Sequence, residues 1–256
     1  MRMVLLCRGW NSGTNQALTD AWRRGCPDMT VDVCDVGPLT RRGLIRRGLW
    51  RALGGDHGAL RRPGYHDLLA RVLADSGVLE GADFTLAFGT LMPVIQGGPP
   101  QFIYTDHTIQ ANRYYPGGGS HLRQWQAVTE IERTCIHRAR MVFTMGRHVV
   151  RSLREHYGLS GRLVRCVGAG CNAAPPPAPA PGRYQSKRII FVGLDWKRKG
   201  GPALLEALGR LRGRHPDASL TILGSRPHLK GWGEAVRVLG PVPSEQVGRH
   251  LAEAAV

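Results

Sequence analysis

Residues 189–201, IIFVGLDWKRKGG, constrain the fold more than any other stretch of this chain. The segment begins as a short apolar run that ends at a glycine, which is typical of a buried strand in a parallel sheet. A basic loop with two glycines follows, and Pro202 then favours the first turn of a helix, where its missing N–H is not needed. The order of strand, basic loop and helix predicts an α/β fold.

This loop brings several positive charges to one place. Lys197, Arg198 and Lys199 precede a helix N-terminus, whose free N–H groups and dipole also favour an anion. A phosphate or diphosphate suits this arrangement. The same residues suit an ordinary turn between strand and helix with solvated lysines, and the local pattern favours neither interpretation over the other.

The N-terminus repeats the pattern of strand, loop and helix. Residues 3–7 form an apolar run, residues 8–13 a loop with two glycines, and residues 14–24 have helical periodicity. Such a beginning is typical of a Rossmann-like domain. The glycine spacing is G-x-x-x-G and differs from the G-x-G-x-x-G of dinucleotide-binding proteins, so it gives little support to NAD binding.

Apolar runs and helical patterns alternate through the rest of the chain. Further strands are predicted at residues 30–36, 84–88, 101–105, 141–144, 163–167, 219–223 and 235–239. Further helices are predicted at residues 65–73, 121–140, 147–157, 203–211 and 244–252. This alternation favours doubly wound parallel sheets.

A proline-rich run, AAPPPAPAP at residues 173–181, is the clearest boundary in the chain. Such a run favours polyproline II and acts as a semi-rigid spacer. We therefore expect an N-terminal domain at residues 1–172, a linker at residues 173–186 and a second domain at residues 187–256.

The basic loop and its surroundings resemble a known family. The pattern VG-x-DW-x-RKGG-x-x-LLEA, continued by PDASLTILG at residues 216–224, resembles the start of the donor domain of family 4 glycosyltransferases. That family has the GT-B fold, uses nucleotide-sugars without a metal and retains the anomeric configuration. The resemblance implies two Rossmann-like doubly wound domains, an acceptor-side domain and a donor domain. It implies transfer of a sugar from a nucleotide-sugar to a hydroxyl of a glycan, a lipid-linked carrier or a small molecule.

The resemblance also implies a donor site in the basic loop, where Lys199 takes the place of a lysine that contacts the donor diphosphate. The candidates for diphosphate binding are Lys199, Arg198, Gly193 and Gly200. The family usually has a basic residue directly after the strand glycine, where this chain has Leu194. Arg198 or Lys197 would then have to replace it.

A second candidate site follows the strand predicted at residues 101–105. Asp106 and His107 come directly after this strand, and in open α/β sheets ligands bind beyond the carboxyl ends of the strands. These side chains can hold sugar hydroxyls and organise charge near a leaving phosphate, so they are the catalytic candidates. A histidine here also suits a structural role. The resemblance adds Asn11 and Gly13, whose loop would lie over the cleft between the substrates.

The chain is strongly basic, with a formal net charge of +16. This excess favours polyanionic partners. Residues 39–53 form either an interfacial helix on anionic lipid or an amphipathic helix that packs through its leucines. The basic residues in this segment are Arg41, Arg42, Arg46, Arg47 and Arg51. The alternative function is therefore a non-catalytic protein that binds an anionic surface or nucleic acid, although no signature of a specific nucleic-acid module occurs.

Cysteine usage and hydropathy indicate the compartment. The six cysteines include no C-x-x-C pair, which favours reduced thiols in the cytosol over a metal site. We expect neither a metal nor another cofactor, with the nucleotide-sugar as a substrate. We expect no signal peptide, because the opening apolar run is too short, and no run of about 20 apolar residues occurs. The expected location is the cytoplasm, including the inner face of the membrane.

One feature of the family is missing from the second half of the chain. The Glu-(seven residues)-Glu motif that grips the nucleotide ribose and the donor sugar does not occur there in the proper context. Residues 187–256 offer about three strands, fewer than a doubly wound domain requires. We therefore expect the second domain to be incomplete and the chain as given to be weakly active or inactive. An inactive GT-B remnant is the third interpretation.

Overall fold

The computed structural model describes residues 1–9, 13–39, 63–113, 122–170, 178 and 181–256. The chain divides into two compact units, Met1–Gly170 (unit 1) and Cys171–Val256 (unit 2). The predictions for Asn11 and for the five arginines at residues 41–51 lie outside the described residues.

The described part of unit 1 is built on six parallel strands in the order β2-β1-β3-β4-β5-β6. Their bounds are β1 (Arg2–Cys7), β2 (Thr30–Asp35), β3 (Phe84–Phe88), β4 (Gln101–Thr105), β5 (Met141–Thr144) and β6 (Val164–Cys166). Parallel strands need crossover connections, and helices provide them here except between β3 and β4, where residues 89–100 contain no helix. The helices are α1 (Thr14–Gly25), α2 (Pro63–Asp75), α3 (Ile109–Asn112), α4 (Leu122–Arg138) and α5 (Arg147–Glu155).

Side chains of β1 alternate between two cores, one on each face of the sheet. Val4 and Leu6 belong to the larger core, which includes side chains from α2, α4 and α5. Met3 and Leu5 belong to the smaller core, against which Leu18 of α1 packs. Burial on both faces explains why β1 is a continuous apolar run, because neither face meets water.

The strand order places a topological switch point at the centre of this sheet. β1 pairs with β2 on one side and with β3 on the other, so the sheet grows in opposite directions from this point. Ligands of open α/β sheets bind at such a point, beyond the carboxyl ends of the strands. The loops that follow β1, β3 and β4 all leave the sheet at this edge.

Unit 2 contains, within its described residues, three parallel strands in the order β7-β8-β9. They are β7 (Arg188–Gly193), β8 (Ser219–Gly224) and β9 (Val236–Gly240), with helices α6 (Gly201–Arg212) and α7 (Ser244–Glu253). A core around Phe191, Leu208 and Ile222 lies between the sheet and α6. Beyond α7, Val256 accepts a hydrogen bond from the N–H of Ile190, so the chain returns to β7.

The predicted fold class is confirmed, since both units are α/β with parallel sheets. Each predicted strand and each predicted helix within the described residues is present, with ends that shift by a few residues. None of the described helices has the length and apolar composition needed to span a bilayer. Among the described residues, no group of three or more His, Cys, Asp or Glu side chains is arranged to hold a metal ion.

Candidate functional sites at the strand ends

The loop after β4 holds an acid–imidazole pair at the carboxyl edge of unit 1. His107 Nδ1 lies 2.5 Å from Asp106 Oδ1, and the side chains are 44% and 59% exposed. This hydrogen bond lowers the pKa of Asp106. It also places a proton on Nδ1, so Nε2 is the acceptor whenever the ring is neutral. The buried hydroxyl of Thr105 donates to the His107 carbonyl at 2.7 Å and holds the loop from behind.

A fully buried carboxylate, Glu132 of α4, anchors this loop. The N–H of Ile109 donates to both of its oxygens, at 3.0 and 2.9 Å. The hydroxyl groups of Thr90 and Tyr157 donate to the same carboxylate. Burial raises the pKa of Glu132, and the donated hydrogen bonds oppose that shift. Since all of these partners are donors, they match the ionised form.

Thr108 links the loop to α5 as well. Its hydroxyl lies 2.6 Å from Ser152 Oγ, which in turn lies 2.9 Å from His156 Nδ1. The same hydroxyl accepts the N–H of Ala111 at 3.1 Å and so caps α3. The residues that follow His107 are therefore held by buried groups from several elements.

The loop after β1 leaves the sheet on the same edge. Gly13 has φ 80°, a left-handed conformation, and occupies the N-cap position of α1. The left-handed region favours glycine, because a Cβ there meets the backbone. Asn15 donates from Nδ2 to the Gly9 carbonyl at 2.9 Å and ties the start of α1 to the loop.

In unit 2 the loop between β7 and α6 folds through contacts between near neighbours. The N–H of Lys199 donates to the Asp195 carbonyl at 3.1 Å, and that of Gly201 donates to the Trp196 carbonyl at 2.8 Å. Gly200, with φ 83°, occupies the N-cap position of α6. The Trp196 ring packs on Phe191 with centroids 4.8 Å apart and also covers Gly201, where a Cβ would clash with it.

Lys199 extends across the carboxyl end of β7. A Cβ at Gly193 would lie 2.6 Å from Lys199 Cδ, so a glycine at this position leaves room for the lysine side chain. Lys199 is exposed, and it forms no ion pair with any residue that the structure describes. Its charge therefore stands beside the N-terminus of α6, whose dipole has the same sign. Both favour an anion at this edge.

Arg198 is differently placed. Its N–H donates to Asp195 Oδ1 at 3.0 Å, and its Nε donates to Oδ2 at 3.1 Å. These bonds, of which the backbone one has the largest effect, lower the pKa of Asp195. Asp195 thus forms an ion pair with Arg198, whereas Lys199 forms none with a described residue.

Several solved structures align with nearly the whole chain. Sucrose-phosphate synthase from Thermosynechococcus elongatus is 14% identical with a TM-score of 0.62, over 99% of this chain and 74% of that chain. The S. aureus MnaA–UDP complex is 11% identical with a TM-score of 0.57, over 99% and 72%. UDP-N-acetylglucosamine 2-epimerase from Rickettsia bellii is 12% identical with a TM-score of 0.53, over 98% and 70%.

The chain has a GT-B-like fold. At these identities the likeness concerns the fold alone. The sequence matches no protein-family model and no curated protein.

Within this GT-B-like fold, the predicted site residues that the structure describes lie at or just beyond the carboxyl ends of strands. They are Gly13 after β1, Asp106 and His107 after β4, and Gly193, Arg198, Lys199 and Gly200 at the end of β7. Sequence reasoning did not assign Glu132 a place in the site. A signal was present, because Val128, Glu132 and Ile136 follow one another at four-residue spacing and all are buried.

Proposed function

We propose that this chain is a glycosyltransferase, or part of one, that moves a sugar from a nucleotide-sugar to an acceptor hydroxyl. The observation that carries the proposal is Lys199, an exposed lysine that crosses the glycine end of β7 beside the N-terminus of α6. When a nucleotide-sugar gives up its sugar, the nucleoside diphosphate is the leaving group. Negative charge grows on this diphosphate as its bond to the sugar breaks. A fixed cation and a helix dipole stabilise this charge without a metal.

The resemblance to family 4 glycosyltransferases supports two finer parts of the proposal. The first is retention of the anomeric configuration. The second is the division into an acceptor-side domain at residues 1–172, a linker at residues 173–186 and a donor domain at residues 187–256. The fold neighbours suggest the nucleotide to test first, since one was solved with UDP and another is a UDP-N-acetylglucosamine 2-epimerase.

On the acceptor side, the proposal gives Asp106 and His107 the contacts to sugar hydroxyls. The Asp106 carboxylate accepts hydrogen bonds from sugar hydroxyl groups. The neutral imidazole of His107 accepts a hydrogen bond through Nε2, because its Nδ1 donates to Asp106. The buried bonds to Glu132 hold the following residues in place, so the pair does not have to be ordered when substrate arrives. The five arginines at residues 41–51 support a place at an anionic membrane surface if the acceptor is lipid-linked.

The test is a titration of UDP into the protein by calorimetry, with Lys199→Ala and a control, Lys230→Ala. Loss of a charge-assisted hydrogen bond of about 1.5–3 kcal/mol should weaken binding by roughly 10- to 100-fold in Lys199→Ala. Lys230→Ala removes an exposed lysine from the loop after β8 and should bind within about two-fold of wild type. ADP and GDP in parallel titrations show whether one nucleotide is preferred.

Two results would contradict the proposal. One is Lys199→Ala protein that binds or transfers like wild type. The other is binding without nucleotide preference that falls steeply with salt, which indicates a general polyanion binder. A chain that binds UDP without transferring sugar would still support the diphosphate assignment and would point to the inactive remnant.

A further inference from the structure

Each described strand of unit 2 ends in a glycine. The final residues are Gly193 of β7, Gly224 of β8 and Gly240 of β9. Gly193 pairs with Gly224, and Gly240 pairs with Leu223 across a register shift, so the three ends are neighbours. This edge of the sheet therefore presents backbone without side chains, which allows a ligand to approach closely.

Basic side chains cover the two outer glycines. Lys199 lies over Gly193, as described above. At Gly240, a Cβ would lie 2.5 Å from Arg226 Nε and 2.6 Å from Arg226 Cζ. The guanidinium of Arg226 thus lies against the end of β9 in the same way as the lysine lies against the end of β7. No residue larger than glycine fits at either position unless the cation moves.

Arg226 approaches this edge of the sheet from the β9 side, opposite to Lys199 on the β7 side. It is the second residue after β8, the central strand of the three, and its side chain extends to the end of β9. Neighbouring strands are about 4.8 Å apart, so each cation covers a strand end about one strand spacing from the end of β8. Arg226 is exposed and forms no ion pair or hydrogen bond with the residues that the structure describes. Arg226 differs in this respect from Arg198, which forms an ion pair with Asp195.

A buried hydroxyl directly precedes Arg226 in the sequence. Ser225 follows β8 directly and is only 6% exposed. Its Oγ is buried and has no hydrogen-bond partner among the described residues. A buried polar group without a partner is destabilising by about 1–3 kcal/mol, so such a group at the edge that carries the cations indicates a partner from outside the chain.

We infer that Arg226 is the second cation of the donor site and that, with Lys199, it holds the diphosphate of a nucleoside diphosphate or nucleotide-sugar. The inference rests on the proposed function and adds a binding residue to it. Two cations on opposite sides of a bare strand end suit a group that carries charge on two linked phosphates. A planar guanidinium can also bind two phosphate oxygens at once.

The experiment compares Arg226→Gln with Lys230→Gln, a control that removes an exposed lysine from the same loop. UDP, UMP and uridine are titrated into each protein by calorimetry. Arg226→Gln should weaken UDP binding by roughly 10-fold or more, should affect UMP less, and should leave uridine unchanged. Arg226→Lys restores the charge without the fork and should recover part of the affinity. Lys230→Gln should stay within about two-fold of wild type.

Failures of the two proposals are distinguishable. If Arg226→Gln binds UDP like wild type while Lys199→Ala loses affinity, the inference about Arg226 is wrong and the diphosphate site stands. If Arg226→Gln weakens uridine as much as UDP, the side chain contacts the nucleoside and the diphosphate assignment is overturned. If the wild-type chain binds no nucleoside diphosphate, both proposals fail. Circular dichroism of each variant confirms folding, which an exposed substitution should leave intact.

Discussion

The loops after β4 and after β7 both lie at the carboxyl ends of strands in parallel sheets, yet they are held in place in different ways. The β4 loop is fixed from inside the protein by a buried carboxylate, buried hydroxyls and bonds between distant segments. The β7 loop is fixed by bonds between residues three to five apart and carries exposed cations.

This difference matches two different tasks. A site that orients neutral hydroxyl groups benefits from polar side chains held in one geometry before the ligand binds. A site for a diphosphate can leave positive charge uncompensated, because the ligand brings the opposite charge. Under the proposed function, unit 1 therefore contributes a pre-ordered site for hydroxyl groups and unit 2 contributes positive charge for the diphosphate. Each of the following predictions tests one side of this comparison.

The largest effect is expected at the buried carboxylate. Glu132→Ala leaves the Thr90 and Tyr157 hydroxyls and the Ile109 N–H without their acceptor, at about 1–3 kcal/mol for each buried group. We expect a loss of about 3 kcal/mol or more from the free energy of unfolding. Urea denaturation gives the total. Hydrogen exchange by mass spectrometry should locate the loss in peptides of unit 1.

The matched control for this variant lies in the same helix. Glu130 is 70% exposed at its side chain and pairs only loosely with Arg133, so Glu130→Ala should change the free energy of unfolding by about 0.5 kcal/mol or less. Equal losses from Glu130→Ala and Glu132→Ala would remove the distinction between a loop fixed from inside and a loop fixed locally.

A smaller effect is expected at the glycine edge of unit 2. Gly224 has φ 88°, and a Cβ there would lie 2.8 Å from the Gly193 carbonyl oxygen. Gly224→Ala should therefore destabilise unit 2 by about 1–3 kcal/mol. Gly209 in α6 offers a control of opposite sign, since its φ is not positive and a Cβ would lie 3.6 Å from Trp232. Gly209→Ala should stabilise by about 0.5–1 kcal/mol, and thermal unfolding measures both.

The smallest effect concerns pH. The hydrogen bond from His107 holds the pKa of Asp106 below its ordinary 3.8, so the pair contributes stability above that pH and loses it as pH falls through the lower, folded value. Both side chains are exposed, so the contribution to stability is small. Carboxyl NMR should show Asp106 of His107→Ala titrating at a higher pH than in wild type. An unchanged midpoint would mean that the pair does not form in solution.

The strand and helix order was predictable because each buried strand of a parallel sheet is a short apolar run, and glycines mark its end. The candidate edge followed from that order, since ligands of such sheets bind beyond the strand ends. Asp106, His107 and Lys199 were found in this way. Leu194, which stands where the resembled family has a basic residue, left the second cation open.

The remaining parts of the sites depend on contacts that the sequence pattern does not display. Arg226 lies 27 residues after Lys199 in the sequence, and only the pairing of β7, β8 and β9 brings their strand ends together. Glu132 could be recognised as an acid within a buried stripe, but its partners come from three other segments. The pairing of Arg198 with Asp195 is local, and its three-residue spacing could have indicated it.

The Glu132 carboxylate has a consequence for the order in which the chain assembles. It joins residues that are 23, 25 and 42 positions away in sequence, and the complete set of bonds requires the end of β3, the loop after β4 and the end of α5 to be in place around α4. Closing such long loops is entropically unfavourable and comes late unless other contacts have already closed them. The loop that carries His107 should therefore reach its final conformation in the last stage of folding of unit 1, after its supporting sheet is complete.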